Sequence, residues 1–219
     1  GLTNCTTPLC FTALTAGSYT LSEASKSGWQ STNGPFAFTI DCQSPTNQTY
    51  AFGNVCLGAG GGLTLGFWSN KNGLATLCPL FNGTWQPLLT TLHLVKGSGA
   101  AQDFTAASCK TDATTLNNWL LAATATNMAN MLSAQLAAME LNVLTLKVNG
   151  SSLVYAGTAP GTCTVTGLSG GFISISNLMA AAENLLALPG GNNTVVPSAL
   201  RSCEEFVKIA LDRANNNLN

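Results

Sequence analysis

A run of small residues, Ala59-Gly60-Gly61-Gly62, separates two kinds of apolar pattern in this chain. Ahead of the glycines, apolar and polar residues alternate in Ser18-Tyr19-Thr20-Leu21-Ser22-Glu23, in Phe36-Ala37-Phe38-Thr39-Ile40 and in Thr49-Tyr50-Ala51-Phe52. Period two, with Tyr, Phe and Thr, is the mark of half-buried strands. Cys10-Phe11-Thr12-Ala13-Leu14 is expected to add another, and Thr32-Asn33-Gly34-Pro35 to form a turn. Behind the glycines the step changes to three and four. From Thr114 to Val143, the residues Leu116, Trp119, Leu120, Met128, Met131, Leu132, Leu136, Met139 and Val143 fall on helical spacing, with Asp112 placed to cap them. Asn177–Leu188 predicts a second helix, stopped by Pro189-Gly190-Gly191. Pro197–Asn217 predicts a third, with Pro197 in its first turn. Leu153-Val154-Tyr155 and Phe172–Ile175 are short strand candidates. The expected fold class is α+β: a β-module over residues 1–57, then a mainly helical domain over residues 58–219.

Charge narrows the function classes. Only 8% of the 219 residues are charged, and the net charge is −1. Ordinary soluble domains carry roughly a quarter. The few Lys and Arg do not cluster, so no nucleic-acid footprint or polybasic membrane patch is expected. No apolar run is long enough for a membrane span, and 46% hydrophobic residues argue against disorder. A charge near zero favours association between copies. Asn-x-Ser/Thr triplets at Asn4, Asn47, Asn82, Asn149 and Asn192 are about as many as chance gives in so Asn-, Ser- and Thr-rich a chain.

The cysteines are Cys5, Cys10, Cys42, Cys56, Cys78, Cys109, Cys163 and Cys203. Their number is even, their spacing wide, and no C-x-x-C or histidine pair accompanies them, so disulfides fit better than a metal site. Half lie on each side of the glycines. Pairing within halves is the simplest expectation, with Cys42–Cys56 and Cys163–Cys203 as the specific guesses. Such staples imply an oxidising compartment.

Catalytic signals are absent. His93, in Thr91-Leu92-His93-Leu94-Val95, sits in an apolar stretch expected to be buried, and no G-x-S-x-G motif occurs. Adjacent Glu204 and Glu205 diverge on a helix instead of pairing. Gly58-Ala59-Gly60-Gly61-Gly62 lacks the Lys-Ser/Thr of a phosphate loop, so it reads as a hinge or tight passage. The methionines at helical spacing read as core filler. No enzyme, metal or cofactor is expected. Trp29, Trp68 and Trp85 are candidate contacts for assembly or for sugars, with core anchoring as the simpler role.

Tyr19-Thr20-Leu21-Ser22-Glu23, Gly28-Trp29 and Phe52-Gly53-Asn54 resemble, in order and spacing, the closing half of prealbumin-like, Cna-B-type domains of bacterial surface proteins. The resemblance covers about residues 12–57. Downstream, Gly66-Phe67-Trp68-Ser69-Asn70-Lys71-Asn72-Gly73, with Asn127-Met128-Ala129 and Met131–Glu140, looks like a recurring type of secreted bacterial protein of unassigned activity. The first resemblance implies a β-sandwich whose opening strands are missing here, so that either a segment upstream of this sequence or another chain would close its open edge. It also implies a Lys–Asn isopeptide bond, with Glu23 at the position of the assisting acid and Asn54 at that of the Asn. The Lys would come from a neighbour, through Lys26 or Lys71. The resulting expectation is a secreted subunit that pairs with copies of itself by β-strand addition. A monomeric adhesin or glycan-binding module is the alternative.

Overall fold

The structure is a computed structural model that describes residues 9, 11–26, 29–31, 33–41, 48–56, 61–81, 84–161 and 163–217. The fold is α+β, and the chain divides into two compact units, Gly1–Cys56 and Leu57–Asn219.

In the N-terminal unit, β1 (Gly17–Leu21) pairs antiparallel with β3 (Phe36–Ile40), and β2 (Trp29–Ser31) with β4 (Asn54–Cys56). Register sets Tyr19 opposite Phe38 and Leu21 opposite Phe36. The pleat therefore turns Tyr19, Leu21, Phe36, Phe38 and Ile40 to one half-buried face and leaves Ser18, Thr20, Ala37 and Thr39 exposed. Two expected strands do not form. Phe11–Leu14 is irregular, with Ala13 in the left-handed region at φ 56°, which ends an extended run (Cys10 lies outside the described residues). Tyr50-Ala51-Phe52 joins no ladder; Asn33 takes the backbone on either side of Phe52 instead. The Asn33 Nδ2 donates to the Ala51 carbonyl at 2.9 Å, and the Gly53 N–H donates to Asn33 Oδ1 at 2.7 Å.

The second unit begins as a tight passage. Gly61 has φ +77°, and a Cβ there would lie 2.3 Å from the Lys147 carbonyl; one on Gly62 would lie 2.3 Å from that of Ala214. Side chains then lace the segment down. Asn217 exchanges hydrogen bonds of 2.8 and 2.9 Å with the Gly62 backbone, and Asn142 does the same with Leu63 at 2.9 Å each way. Of the two expected roles for the glycines, Gly61 and Gly62 take the tight passage; residues 58–60 lie outside the described part.

Three short helices follow: α1 (Leu65–Trp68), α2 (Lys71–Phe81) and α3 (Trp85–Thr90). The expected stretch from Thr114 to Val143 is instead α4 (Cys109–Ala122) and α5 (Met128–Leu144). Between them, other groups claim the backbone. Asn130 Oδ1 accepts from the Thr124 N–H at 3.1 Å, and the Arg201 guanidinium donates to the Ala125 and Thr126 carbonyls at 2.8 and 3.2 Å. Asp112 is not the cap; Ser108 holds that position. Asp112 is buried in the first turn, where it accepts from the Ala106 N–H at 2.9 Å and from Gln86 Nε2 at 2.5 Å. The strands β5 (Leu153–Tyr155) and β6 (Phe172–Ser174) pair antiparallel and lead into α6 (Ile175–Ala187). The last helix, α7 (Ala199–Asn215), starts after Pro197, with Ser198 as its cap accepting from the Arg201 N–H at 3.0 Å.

Helix α5 is the axis of this unit. It packs against α1, α3, α6 and α7, and Leu132, Leu136, Met139 and Leu141 are fully buried. Being covered on nearly every side, it needs polar residues that find partners inside. Asn142 serves Leu63, the Trp68 Nε1–H (3.2 Å) and Asn215 (2.8 Å), while Asn215 donates to Gln135 Oε1 at 2.8 Å. Two disulfides staple the shell. Cys78–Cys109 ties α2 to α4, and Cys163–Cys203, the pair guessed from sequence, ties the loop before β6 to α7. The Cys5, Cys10, Cys42 and Cys56 thiols lie outside the described part, so the Cys42–Cys56 guess does too. Among the described residues, no helix is long and apolar enough to cross a membrane. The disulfides are consistent with an extracytoplasmic protein.

Candidate assembly interface

The feature that sets the N-terminal unit apart is its aromatic face. The strand pleat aligns Tyr19 on Phe38, with ring centroids 5.7 Å apart. The segment held by Asn33 then lays Tyr50 between Phe36 and Phe38, at 5.0 and 5.3 Å, and sets Phe52 edge-on to Phe36 at 5.2 Å. Offset and edge contacts of this kind stabilise by about 0.5–1.5 kcal/mol each beyond burial. Yet among the described residues of this unit none is buried; the rings are only half-covered. Among the described residues each ladder has two strands, β1 with β3 and β2 with β4. The half-covered rings give this unit an apolar face.

Of the residues singled out by resemblance, Glu23 and Asn54 touch each other. Asn54, at the start of β4, donates from Nδ2 to Glu23 Oε2 at 2.7 Å, on an exposed part of the unit. Lys26 Nζ lies 5.1 Å from the ring centroid of Trp29, which is 41% exposed. Glu23, Asn54, Lys26 and Trp29 thus come from the β1–β2 connection and the paired β2 and β4. Lys71 is exposed at the start of α2 in the other unit.

Trp68 and Trp85 are not surface contacts. Both are fully buried, with Trp68 Nε1 bonded to Asn142 and Trp85 Nε1 donating to Cys109 Sγ at 3.4 Å. Trp119 is core as well, its Nε1–H on the Val95 carbonyl at 3.1 Å, and only its edge reaches a shallow cleft of about 360 Å³ beside Lys96, Gln102 and Asn118. Of the tryptophans, Trp29 alone presents a ring to solvent.

His93 is not buried either. Its side chain is 60% exposed, and Nδ1 lies 2.5 Å from Glu183 Oε1 on α6, whose carboxylate also accepts from the His93 N–H at 3.0 and 3.2 Å. Sequence gave no signal of this pair because 90 residues separate its members. Glu140 stands nearby, its carboxyl raised above the ordinary range by burial first and by the Glu183 charge second. Among the described residues, no serine or cysteine is hydrogen-bonded to His93, and no cluster of His, Cys, Asp and Glu could hold a metal ion. Glu204 is fully buried while Glu205 faces out, as adjacent helical positions require. Burial pushes the Glu204 carboxyl up to about 7, against smaller lowering by Thr194 and Arg201.

Comparison of the chain with family models, curated proteins and solved structures finds no match in any of them.

Proposed function

We propose that the chain is a structural subunit of a secreted, self-assembling filament or surface layer, joined by β-strand addition between copies. The half-exposed aromatic row of Tyr19, Phe36, Phe38, Tyr50 and Phe52 carries this reading. An aromatic side chain buries about 150–250 Å² when fully covered, so a row left open is a large reserve of association energy. A strand laid alongside a ladder would bond to N–H and C=O groups that point sideways from it.

A second copy of the chain is the occupant. At a net charge of −1, copies do not repel one another strongly. Every copy brings both an open ladder and an alternating strand to offer, so donors and acceptors are equal in number. The helical unit has its own core and can hang from such a joint. A head-to-tail contact between unlike surfaces repeats into an open filament. Disulfides and the Cna-B-like segments support a secreted, cell-surface setting for a bacterial protein.

The Glu23–Asn54 contact extends the proposal to a covalent joint. A neighbour's Lys26 or Lys71, uncharged, would attack Asn54 Cγ; the Nζ–Cγ bond forms, the Cγ–Nδ2 bond breaks, and ammonia leaves with a proton relayed by Glu23. Each link would lose about 17 Da. Monomers of unreduced mass after boiling in reductant would confine the joint to hydrogen bonds.

Light scattering over a concentration series tests the assembly. The native chain is expected to grow with concentration, and Phe38→Lys to remain monomeric with unchanged helical circular dichroism. Growth that Phe38→Lys leaves intact would move the joint elsewhere. The exposed Trp29 ring favours the alternative of a monomeric glycan-binding module; a constant mass with saturable sugar binding, lost in Trp29→Ala, would establish that instead.

A further inference from the structure

Glu204, on α7 of the helical unit, is a carboxyl with no exposed surface. Its Oε2 meets the Thr194 hydroxyl, and its Oε1 has no partner at all. Thr194 is the middle of a knot. Its Oγ1 accepts from the Ala129 N–H at 3.0 Å, in the first turn of α5, and lies 3.5 Å from Asn127 Oδ1. That same Oδ1 accepts from the Thr194 N–H at 3.0 Å. Asn127 Nδ2 reaches the Gly97 and Asn192 carbonyls at 3.4 and 3.2 Å, and Asn192 Nδ2 the Gly99 carbonyl at 3.0 Å. The Arg201 guanidinium closes the knot on the Thr194, Thr126 and Ala125 carbonyls. Three loops are fastened there: 97–99, 123–127 and 192–196.

Counting donors shows which form of Glu204 the knot was built for. The Thr194 hydroxyl has one proton. If Glu204 is ionised, that proton goes to Oε2, the 3.5 Å approach to Asn127 has no donor, and a charge sits in the core with a bare Oε1. If Glu204 is protonated, it donates to Thr194 Oγ1, which is free to donate on to Asn127 Oδ1. One proton completes a chain of donors and removes the buried charge.

No neighbour substitutes for that proton. Arg201, one turn earlier on α7, is the charged group that acts on Glu204, and it is tied to carbonyls. On α7, Glu205 faces solvent and Lys208 pairs with Asp212 at 3.6 Å. The packed elements bring few other titratable groups: Glu140 on α5, Glu183 on α6 and Tyr155 on β5; Lys96 precedes the 97–99 loop. Loops 123–127 and 192–196 bring none.

We propose that this knot is a proton-operated latch: protonated Glu204 holds the 192–196 segment down, and ionised Glu204 releases it. Release would free Val195 and Val196, already 48% and 70% exposed, to move with the segment. The latch is independent of whether copies assemble. Its rationale is a body that is firm on the acid side of neutrality and loosens locally on the alkaline side.

Amide hydrogen exchange on the whole chain tests it, at about pH 5.5 and about pH 8.5 after correction for intrinsic rates. Protection of the Ala129 and Thr194 amides is expected to fall by about tenfold or more in the native chain and to stay constant in Glu204→Gln. Equal protection at both pH values, or an equal fall in Glu204→Gln, overturns the latch. Infrared spectroscopy gives a second readout should that variant fold poorly. A buried protonated-carboxyl band at the lower pH that vanishes at the higher supports the latch; its absence at the lower pH refutes it.

Discussion

The two units answer the same physical demand in opposite ways. In the helical unit, Leu132, Leu136, Met139 and Ile173 are wholly out of water, and the buried amides of Asn130, Asn142 and Asn215 are spent on named partners. In the N-terminal unit five aromatic rings touch one another, but among the described residues none is buried. Both are poor in charge, so solubility is not what separates them. The difference lies in closure: one unit wraps a helix in other helices, and the other has two-strand ladders with nothing described over their apolar face. On the reading proposed above, the first is the finished body and the second the half that a neighbour completes. That division of labour suits a subunit that must keep its own shape while lending part of itself to a neighbour.

Hollowing each unit in turn gives the largest expected effects. Leu136→Ala is expected to destabilise the helical unit by about 3–5 kcal/mol, since its surroundings on α5 are packed on all sides. Phe38→Ala is expected to leave the helical unit's denaturant midpoint unchanged and to weaken association instead. A Phe38→Ala midpoint shifted as far as that of Leu136→Ala would mean the N-terminal rings belong to the main core after all.

Staples give the next effect. Replacing Cys78 and Cys109, or Cys163 and Cys203, by Ala should each cost about 3–4 kcal/mol, for sequence separations of 31 and 40 residues. The loss should appear in the helical transition of a urea melt.

Acidity comes third. Glu204 holds its proton to about pH 7 when folded, against 4.5 ordinarily. Between these values the native chain binds more protons than the unfolded one, so stability falls as pH rises through the window. It is greatest below 4.5 and reaches its floor above 7. The total change attributable to this group is at most about 3 kcal/mol. Urea midpoints across the window should slope downward in the native chain and flatten in Glu204→Gln.

The smallest effect sharpens the local account. Ser198→Ala removes the hydroxyl that accepts from the Arg201 N–H and should cost about 1 kcal/mol, read by the same melts.

How much of this was legible beforehand follows from the range of the forces. Alternation placed Tyr19, Leu21, Phe36 and Phe38 on one face, because a pleat is a local property. Helical spacing found α6 and α7 to within about two residues at each end, the usual uncertainty of helix termini. What failed depended on partners remote in sequence. The break between α4 and α5 is held partly by Arg201, some 75 residues on. His93 reads as buried from Leu92 and Leu94, yet Glu183 draws it to the surface. Tyr50 and Phe52 reach the aromatic face without a ladder, because Asn33 claims their backbone neighbours. Adjacent positions on a helix make Glu204 and Glu205 diverge, but nothing local says which one is buried. As for the joint, Glu23 and Asn54 were paired through the resemblance to a known domain, not through periodicity or composition.

Negative-stain imaging of the untreated native protein, with sedimentation of the same sample, goes straight to the central claim that the N-terminal unit is closed by another copy. Regular fibres or sheets that vanish in Phe38→Lys are the predicted result. A uniform monomer at every concentration, with the aromatic face sealed by the chain's own backbone, would contradict it.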